Sequence, residues 1–447
     1  METENKGIYF TELTLKNVRC FGDEAVLKLS NDKGEWSRWN VILGDNGTGK
    51  TTLLQCLAGL EQKPISSNDI DWSSKIEDRN HSFSKISNNL SWFYPANIEG
   101  KIILPNSELL PLTITEFVRG QFIGSFIDGK KIDKLYILGY GANRHISFQI
   151  FSEKELETET SATLFDDDAK LINTEEWLYQ MDYAAAYTEN RNTNTKEYAK
   201  KRRDLAFKLI KDILPDIEDI AIIEESPSPL ILVIKFKTPY GWVRLRELSY
   251  GYKTMVAWIV DVAARMFNRY PDSDNPLKEP VIILVDEIDL HLHPKWQRQI
   301  FDFLETRFPR AQFIVTAHSP LIVQSAPKDA NIIVLKKEQV GDEFVVRIDN
   351  DTNSVWNWRI DQIMASDLFG LEGLRNPQIE KLMEERTALI QKQSLTLDEQ
   401  KRLDELNDLS HRLPTADKPE DIEAMAIIRE AADFIKKQQK QNDSNKK

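Results

Sequence analysis

At 447 residues with 41% apolar content, the chain can bury a large core and form two or three domains, which excludes a single small module. Its formal charge of -13 sets the overall field against a polyanion, so any nucleic-acid contact would need a local basic surface. Two isolated cysteines, Cys20 and Cys56, argue against a disulfide framework or a zinc site and are expected to be buried, inert thiols. No apolar run approaches the roughly 20 residues that span a bilayer. The polar opening Met1 to Lys6 also lacks the apolar core of a signal peptide, so a cytoplasmic location with no membrane partner is expected.

Residues 8–16 alternate apolar and polar side chains, and Ala25 to Leu29 repeat that period after a Gly-Asp turn, which predicts an antiparallel strand pair. Asn40 to Leu43 predict a short buried strand, followed by a glycine-rich turn and a helix through Thr52 to Ala58. Residues 61–110 are rich in Ser, Asn, Asp and Pro and read as irregular surface structure bracketing an inserted region. Trp177, Leu178, Met181, Leu205, Leu209, Ile210 and Leu214, at spacings near three and four, predict that 174–214 is mainly helical. Alternating strands return at 220–223, 230–236 and 242–245. A helix from Tyr252 to Phe267 leads to the apolar strand Val281 to Val285, and Phe313 to Thr316 predict another. Strands alternating with helices imply a largely parallel sheet. Ile379, Leu382, Met383, Leu389 and Ile390 mark one late amphipathic helix. Leu403, Leu406, Leu409 and Leu413 mark another, with Thr396 and Glu399 as its capping box. These patterns divide the chain into a first lobe at 1–60, an insertion at 61–215, a second lobe at 216–345 and a helical extension at 346–447.

Gly44-Asp45-Asn46-Gly47-Thr48-Gly49-Lys50-Thr51-Thr52 matches G-x-x-x-x-G-K-[ST] between a strand and a helix. Such a loop points its N–H groups at phosphate oxygens, and the helix that follows adds the positive end of its dipole. Asp45 through Thr52 are therefore expected to bind ATP, with Lys50 on the β and γ phosphates and the Thr51 hydroxyl on Mg2+. Asp286-Glu287 ends the apolar strand, and two carboxylates there need a cation or hydrogen bonds. Asp286 would hold the Mg2+, directly or through water, while Glu287 would orient the attacking water. Ser249 and Gly251, at the start of the Tyr252 helix, offer either a second anion site or a simple serine cap.

His291 and His293 lack an evident third ligand and read as surface or interface packing rather than a metal site. His318 leaves the Phe313 strand at an edge where α/β sheets place ligands. Arg144, after an apolar strand, lies either near nucleotide or a neighbouring subunit, or on a structural turn at the surface. The basic run Lys196, Lys200, Lys201, Arg202, Arg203, Lys208 and Lys211 is either a nucleic-acid patch or a solvated helix face.

Glu247-Leu248-Ser249-Tyr250-Gly251 resembles the Leu-Ser-x-Gly signature of ABC ATPases, and departs from the transporter form at Tyr250, Tyr252 and Lys253. Asp289 matches that family's dimer-contact loop, and Thr316-Ala317-His318-Ser319-Pro320 resembles its switch-histidine motif. Leu15 to Phe21 resembles the opening strand of the RecF, SMC and OLD-type branch. With Asp286 to Arg298, these segments resemble the Septu (PtuA-type) and retron-associated anti-phage defence ATPases. The resemblance is good over 8–60 and 240–325 and loose elsewhere.

The resemblance implies an α/β, ABC-type P-loop ATPase with a mixed central sheet, an antiparallel β edge, an inserted helical region and a helical C-terminal extension. It implies that Ser249 and Gly251 bind the γ phosphate held by an opposite subunit, in a homodimer or larger even-numbered assembly. Glu287 and His318 would be the catalytic pair, His318 sensing the γ phosphate. Gln121 and Gln149 both lie where the family's magnesium-sensing glutamine is sought, and neither is assigned. Residues 345–447 show neither a Toprim carboxylate pattern nor an HNH-like grouping, so a separate effector, a nuclease such as an HNH protein, is the expected partner. Nucleic acid is a further candidate partner. The rival expectations are a DNA repair or recombination ATPase of RecF/SMC type, and a module that holds ATP without turnover.

Overall fold

The computed structural model describes residues 7–60, 97–122, 135–147, 156, 160–186, 193–350, 358–369 and 376–413, apart from 23, 32, 104–108, 116, 119–120, 215–216, 228–229, 341–342, 367 and 393–394. Strands β1 (Tyr9–Lys16) and β2 (Ala25–Lys28) precede β3 (Trp39–Gly44) and helix α1 (Lys50–Gly59). Strands β4 (Asn97–Ile103) and β5 (Leu109–Thr115) then return to β1, giving an antiparallel sheet ordered β2-β1-β4-β5. Residues 97–103 and 109–110 are thus strand, not the irregular surface expected over 61–110. Composition hid the period of two that buries Ile98 and Ile102 in this sheet's core. Residues 61–96 lie outside the described residues.

The second half of the chain supplies most of the central sheet. After β6 (Ile137–Tyr140) come helices α2 (Thr174–Ala186) and α3 (Thr193–Ile213), then an antiparallel meander of β7 (Asp219–Pro227), β8 (Leu230–Thr238) and β9 (Gly241–Arg244). Helix α4 (Tyr250–Arg269) leads to β10 (Val281–Val285), α5 (Ile300–Arg307), β11 (Ala311–Thr316), α6 (Pro320–Ser325), β12 (Asn331–Val340), β13 (Glu343–Asp349) and α7 (Ile360–Met364). The central sheet runs β13-β12-β3-β11-β10-β6, parallel throughout except for the antiparallel β12–β13 edge. The expected mixed sheet with an antiparallel edge is therefore present. Strands β12 and β13 have no counterpart in the sequence reading, which starts a helical extension at 346, whereas β13 runs to Asp349.

Both faces of this sheet are covered, which explains why its strands read as continuous apolar runs. Val281, Ile283 and Val285 join one core with α3, α4 and α5, while Ile282 and Leu284 join another with α1 and the β1–β2–β4 sheet. Helix α4 is buried on all sides from Thr254 to Phe267. Each fully buried Val, Ile or Met there contributes roughly 1.5–3 kcal/mol of burial free energy. Its end is held by Arg202 of α3, which donates to the carbonyls of Phe267 at 3.1 Å and Tyr270 at 2.9 Å. Between the two sheets, the buried Gln312 amide accepts from Phe10 N–H at 2.8 Å and donates to Phe10 O at 2.7 Å.

Residues 371–447 form a second compact unit. Its described part is a pair of helices, α8 (Pro377–Ile390) and α9 (Leu397–Arg412), joined by Leu389, Leu403 and Leu406. The expected capping box is present, with Thr396 and Glu399 bonded reciprocally. Among the described residues, no helix is long and apolar enough to cross a membrane.

Candidate nucleotide-binding site

Strands β3, β11 and β10 lie side by side and parallel, with Ile42 level with Thr316 and Val315 level with Val285. Their carboxyl ends therefore bring the phosphate loop, His318 and Asp286-Glu287 to one edge, the usual ligand edge of an α/β sheet. In the loop, Gly49 caps α1 at φ 87, and a Cβ there would sit 2.6 Å from Cys20 Sγ and 2.9 Å from the Phe21 ring. Only glycine combines that backbone with that space. Thr48 donates its hydroxyl proton to Asp45 O at 2.8 Å, and Lys50 Nζ donates to Gly44 O at 2.7 Å and Asp45 O at 3.0 Å. Burial lowers the Lys50 pKa, and Asp286 and Glu287 oppose that. Asp45, Asn46, Gly47 and Thr51 are exposed, while Thr48 and Thr52 are buried. Thr52 Oγ1 accepts from Arg19 at 3.1 Å, and Lys337 donates to Asn46 O at 3.0 Å.

The acidic turn is wired to this loop. Thr51 Oγ1 donates to Asp286 Oδ2 at 2.6 Å. Thr316 Oγ1 donates to Asp286 Oδ1 at 2.5 Å and accepts the Glu287 N–H at 2.7 Å. Glu287 adopts φ 47, a left-handed setting that costs a non-glycine residue about 1–3 kcal/mol and persists only where neighbours impose it. A hydroxyl and a carboxylate oxygen beside a phosphate loop fit Mg2+, which takes one or two protein oxygens and fills its remaining positions with phosphate and water. Thr51 and Asp286 are the residues that would hold it.

Arg144 is not on the surface turn that one reading gave it; its guanidinium is bonded to the backbone of the acidic turn. It is 4% exposed, and it donates to Gly141 O at 2.9 Å, to Glu287 O at 3.0 Å and to Asp286 O. Burial draws its pKa down to about 10, against the upward pull of Asp286, Glu287 and Asp289. Cys56 is buried and its thiol is pushed up to about 12, but Cys20 is only partly buried because it lies beside the exposed phosphate loop. The Gln121 side chain and all of Gln149 lie outside the described residues.

Ser249 is exposed and caps α4, its hydroxyl accepting the Tyr252 N–H at 3.4 Å. Gly251 abuts the segment after the acidic turn, where any Cβ would overlap the His291 carbonyl oxygen, and Tyr250 meets the His291 ring edge-on at 4.7 Å. His293 caps a short helix through Nδ1, accepting from Lys295 N–H at 3.2 Å. His318 is exposed, and its N–H donates to both Asp289 carboxylate oxygens at 3.3 and 3.2 Å. The basic run is largely committed within the fold: Lys201 pairs with Asp274, Arg202 caps α4, Arg203 pairs with Asp182 and Asp204, and Lys211 pairs with Asp219.

Sequence reasoning found the loop, the carboxylates and His318, and missed Arg19, Thr316 and Lys337 as their supports. Thr316 opens the motif that contains His318 and Arg19 lies within the Leu15 to Phe21 segment, whereas Lys337 carried no signal.

The family model described as "AAA domain, putative AbiEii toxin, Type IV TA system" matches residues 39–324. That span includes the phosphate loop, Ser249, the acidic turn and His318. The chain is 36% identical to the Retron Vc95 probable ATPase of Vibrio cholerae serotype O1 biovar El Tor over 138 residues, 31% of this chain and 26% of that protein. It is 24% identical to Septu protein PtuA of Bacillus mycoides (strain KBAB4) over 375 residues, 81% of this chain and 46% of that protein. It is also 24% identical to Septu protein PtuA of Bacillus thuringiensis over 378 residues, 82% of this chain and 86% of that protein. The chain thus spans less than half the length of the first two relatives.

Proposed function

The chain belongs to this AAA-domain family, and on that footing we propose that it binds ATP with Mg2+ and hydrolyses it to ADP and phosphate. The observation that carries the reading is the 2.6 Å contact from Thr51, at the end of a complete phosphate loop, to Asp286, with Glu287 next in the chain. In this reading the N–H groups of Asp45 to Thr52, the Lys50 ammonium and the start of α1 hold the phosphates. Glu287 orients a water for in-line attack on the γ phosphorus and takes its proton as the bond to the ADP oxygen breaks. Mg2+, held by Thr51 and Asp286, supplies positive charge to the phosphate oxygens. His318 senses the γ phosphate from the neighbouring strand end.

The site is completed in this proposal by Ser249 and Gly251 of a second copy, in a homodimer or larger even-numbered assembly. Exposure of Ser249 at the start of α4 supports that role. The similarity to Septu and retron ATPases supports an anti-phage defence ATPase; in this proposal it is cytoplasmic, and its nucleotide state regulates a separate effector, a nuclease. Nucleotide can act so only by binding two arrangements unequally.

Binding of a fluorescent ATP analogue and release of phosphate test the reading together. Lys50→Ala should abolish binding, whereas Glu287→Gln should bind normally and hydrolyse about 100-fold or more slowly than wild type. Hydrolysis by wild type no faster than by Glu287→Gln would leave a nucleotide-holding module and remove the enzyme.

A further inference from the structure

Arg144 is a buried cation that the proposed chemistry does not use, and among the described residues its hydrogen bonds go to main-chain carbonyls. Two of those carbonyls belong to Asp286 and Glu287, in the two peptides that flank the Glu287 α-carbon, where the chain takes its left-handed setting. The opposite side of the same turn is held by Thr316 and by Ile288 N–H donating to Thr316 O at 2.9 Å. The guanidinium also lies 5.9 Å from the Trp258 ring of α4. Tyr140, four residues before Arg144, packs on Trp258 at 5.7 Å and donates its hydroxyl proton to Asp261 of α4 at 2.9 Å. Asp261 is itself clamped by Arg265 at 2.6 Å. The helix that begins at Ser249 is thus connected through buried groups to the backbone of the acidic turn.

We propose that Arg144 is a positioning residue for hydrolysis, fixing the direction of the Glu287 carboxylate by clamping the two carbonyls beside it and tying that setting to α4. The planar fork of arginine donates to several carbonyls from one head group, which a lysine ammonium matches only in part. The inference rests on the hydrolysis reading, because a module that only holds ATP needs no aimed Glu287.

The test compares wild type, Glu287→Gln, Arg144→Met and Arg144→Lys in single-turnover hydrolysis, with affinity for a fluorescent ATP analogue and melting temperature measured on each. Arg144→Met should bind the analogue within about threefold of wild type yet hydrolyse ATP on the order of 100-fold more slowly, the loss that a misplacement near 1 Å brings. Arg144→Lys should recover part of that rate, and it decides the matter if the methionine variant does not fold. Should wild type hydrolyse ATP and both folded Arg144 variants match it within twofold, the positioning role is overturned and the ATPase reading stands. Should wild type be no faster than Glu287→Gln, the hydrolysis reading fails and takes this inference with it.

Discussion

Thr316 shows how much one hydroxyl does at the strand ends. It is fully buried, donates to Asp286 and accepts from the Glu287 N–H, so it satisfies two polar groups that have little other access to water. Thr316→Val keeps the shape and removes both bonds. Leaving buried polar groups unpaired costs about 1–3 kcal/mol each, so urea unfolding should show a loss of roughly 2–6 kcal/mol. Thr316→Ser, which retains the hydroxyl, should lose only about 1 kcal/mol for the missing methyl. Equal stability of the two variants would mean that packing, not hydrogen bonding, fixes the turn. Residues such as Lys50 and Asp286 were legible in the sequence because their chemistry sits inside short motifs with a recognisable strand and helix around them. Thr316, Arg19 and Arg144 act on partners 30, 33 and 142 positions away, and no local pattern encodes such pairings.

The elements divide in the same way. Strands β3, β10 and β11 and helix α4 were legible because burial on all sides leaves apolar runs of characteristic length. Strands β4, β5, β12 and β13 were not: β4 and β12 are fixed by pairing to the distant β1 and β3, and β5 and β13 join the sheets only as the hairpin partners of those two. Helix α4 also carries a reversal of ordinary propensity at Gly251. Alanine for glycine within a helix is normally stabilising by roughly 0.5–1 kcal/mol. Here the added methyl must displace the His291 carbonyl, in a segment where His291 itself holds φ 63. Gly251→Ala should therefore lower stability by about 1–3 kcal/mol, as overpacking does, and slow ATP turnover by shifting the residues after Glu287. A melting temperature at or above that of wild type would show that the loop yields freely and that glycine is there for another contact.

At the scale of the whole molecule, the proposed mechanism makes each active site from two chains, and a mixing experiment separates that from a site within one chain. Lys50→Ala removes the phosphate grip of its own chain, and Ser249→Arg blocks what that chain offers to its partner. Each variant alone gives symmetric dimers with both sites damaged. In a mixed dimer, one site combines the intact Lys50 of the serine variant with the intact Ser249 of the lysine variant, and the other site carries both lesions. Random pairing makes about half of the dimers mixed, each with one sound site of two, so the mixture should yield about a quarter of the wild-type single-turnover product. Neither variant alone should yield a measurable amount. If the two motifs instead served one triphosphate within a single chain, every chain in the mixture would be defective and the product would stay at background. Sedimentation of Glu287→Gln with saturating ATP supplies the physical counterpart, because arrested hydrolysis should hold the two chains together and removal of ATP should release them.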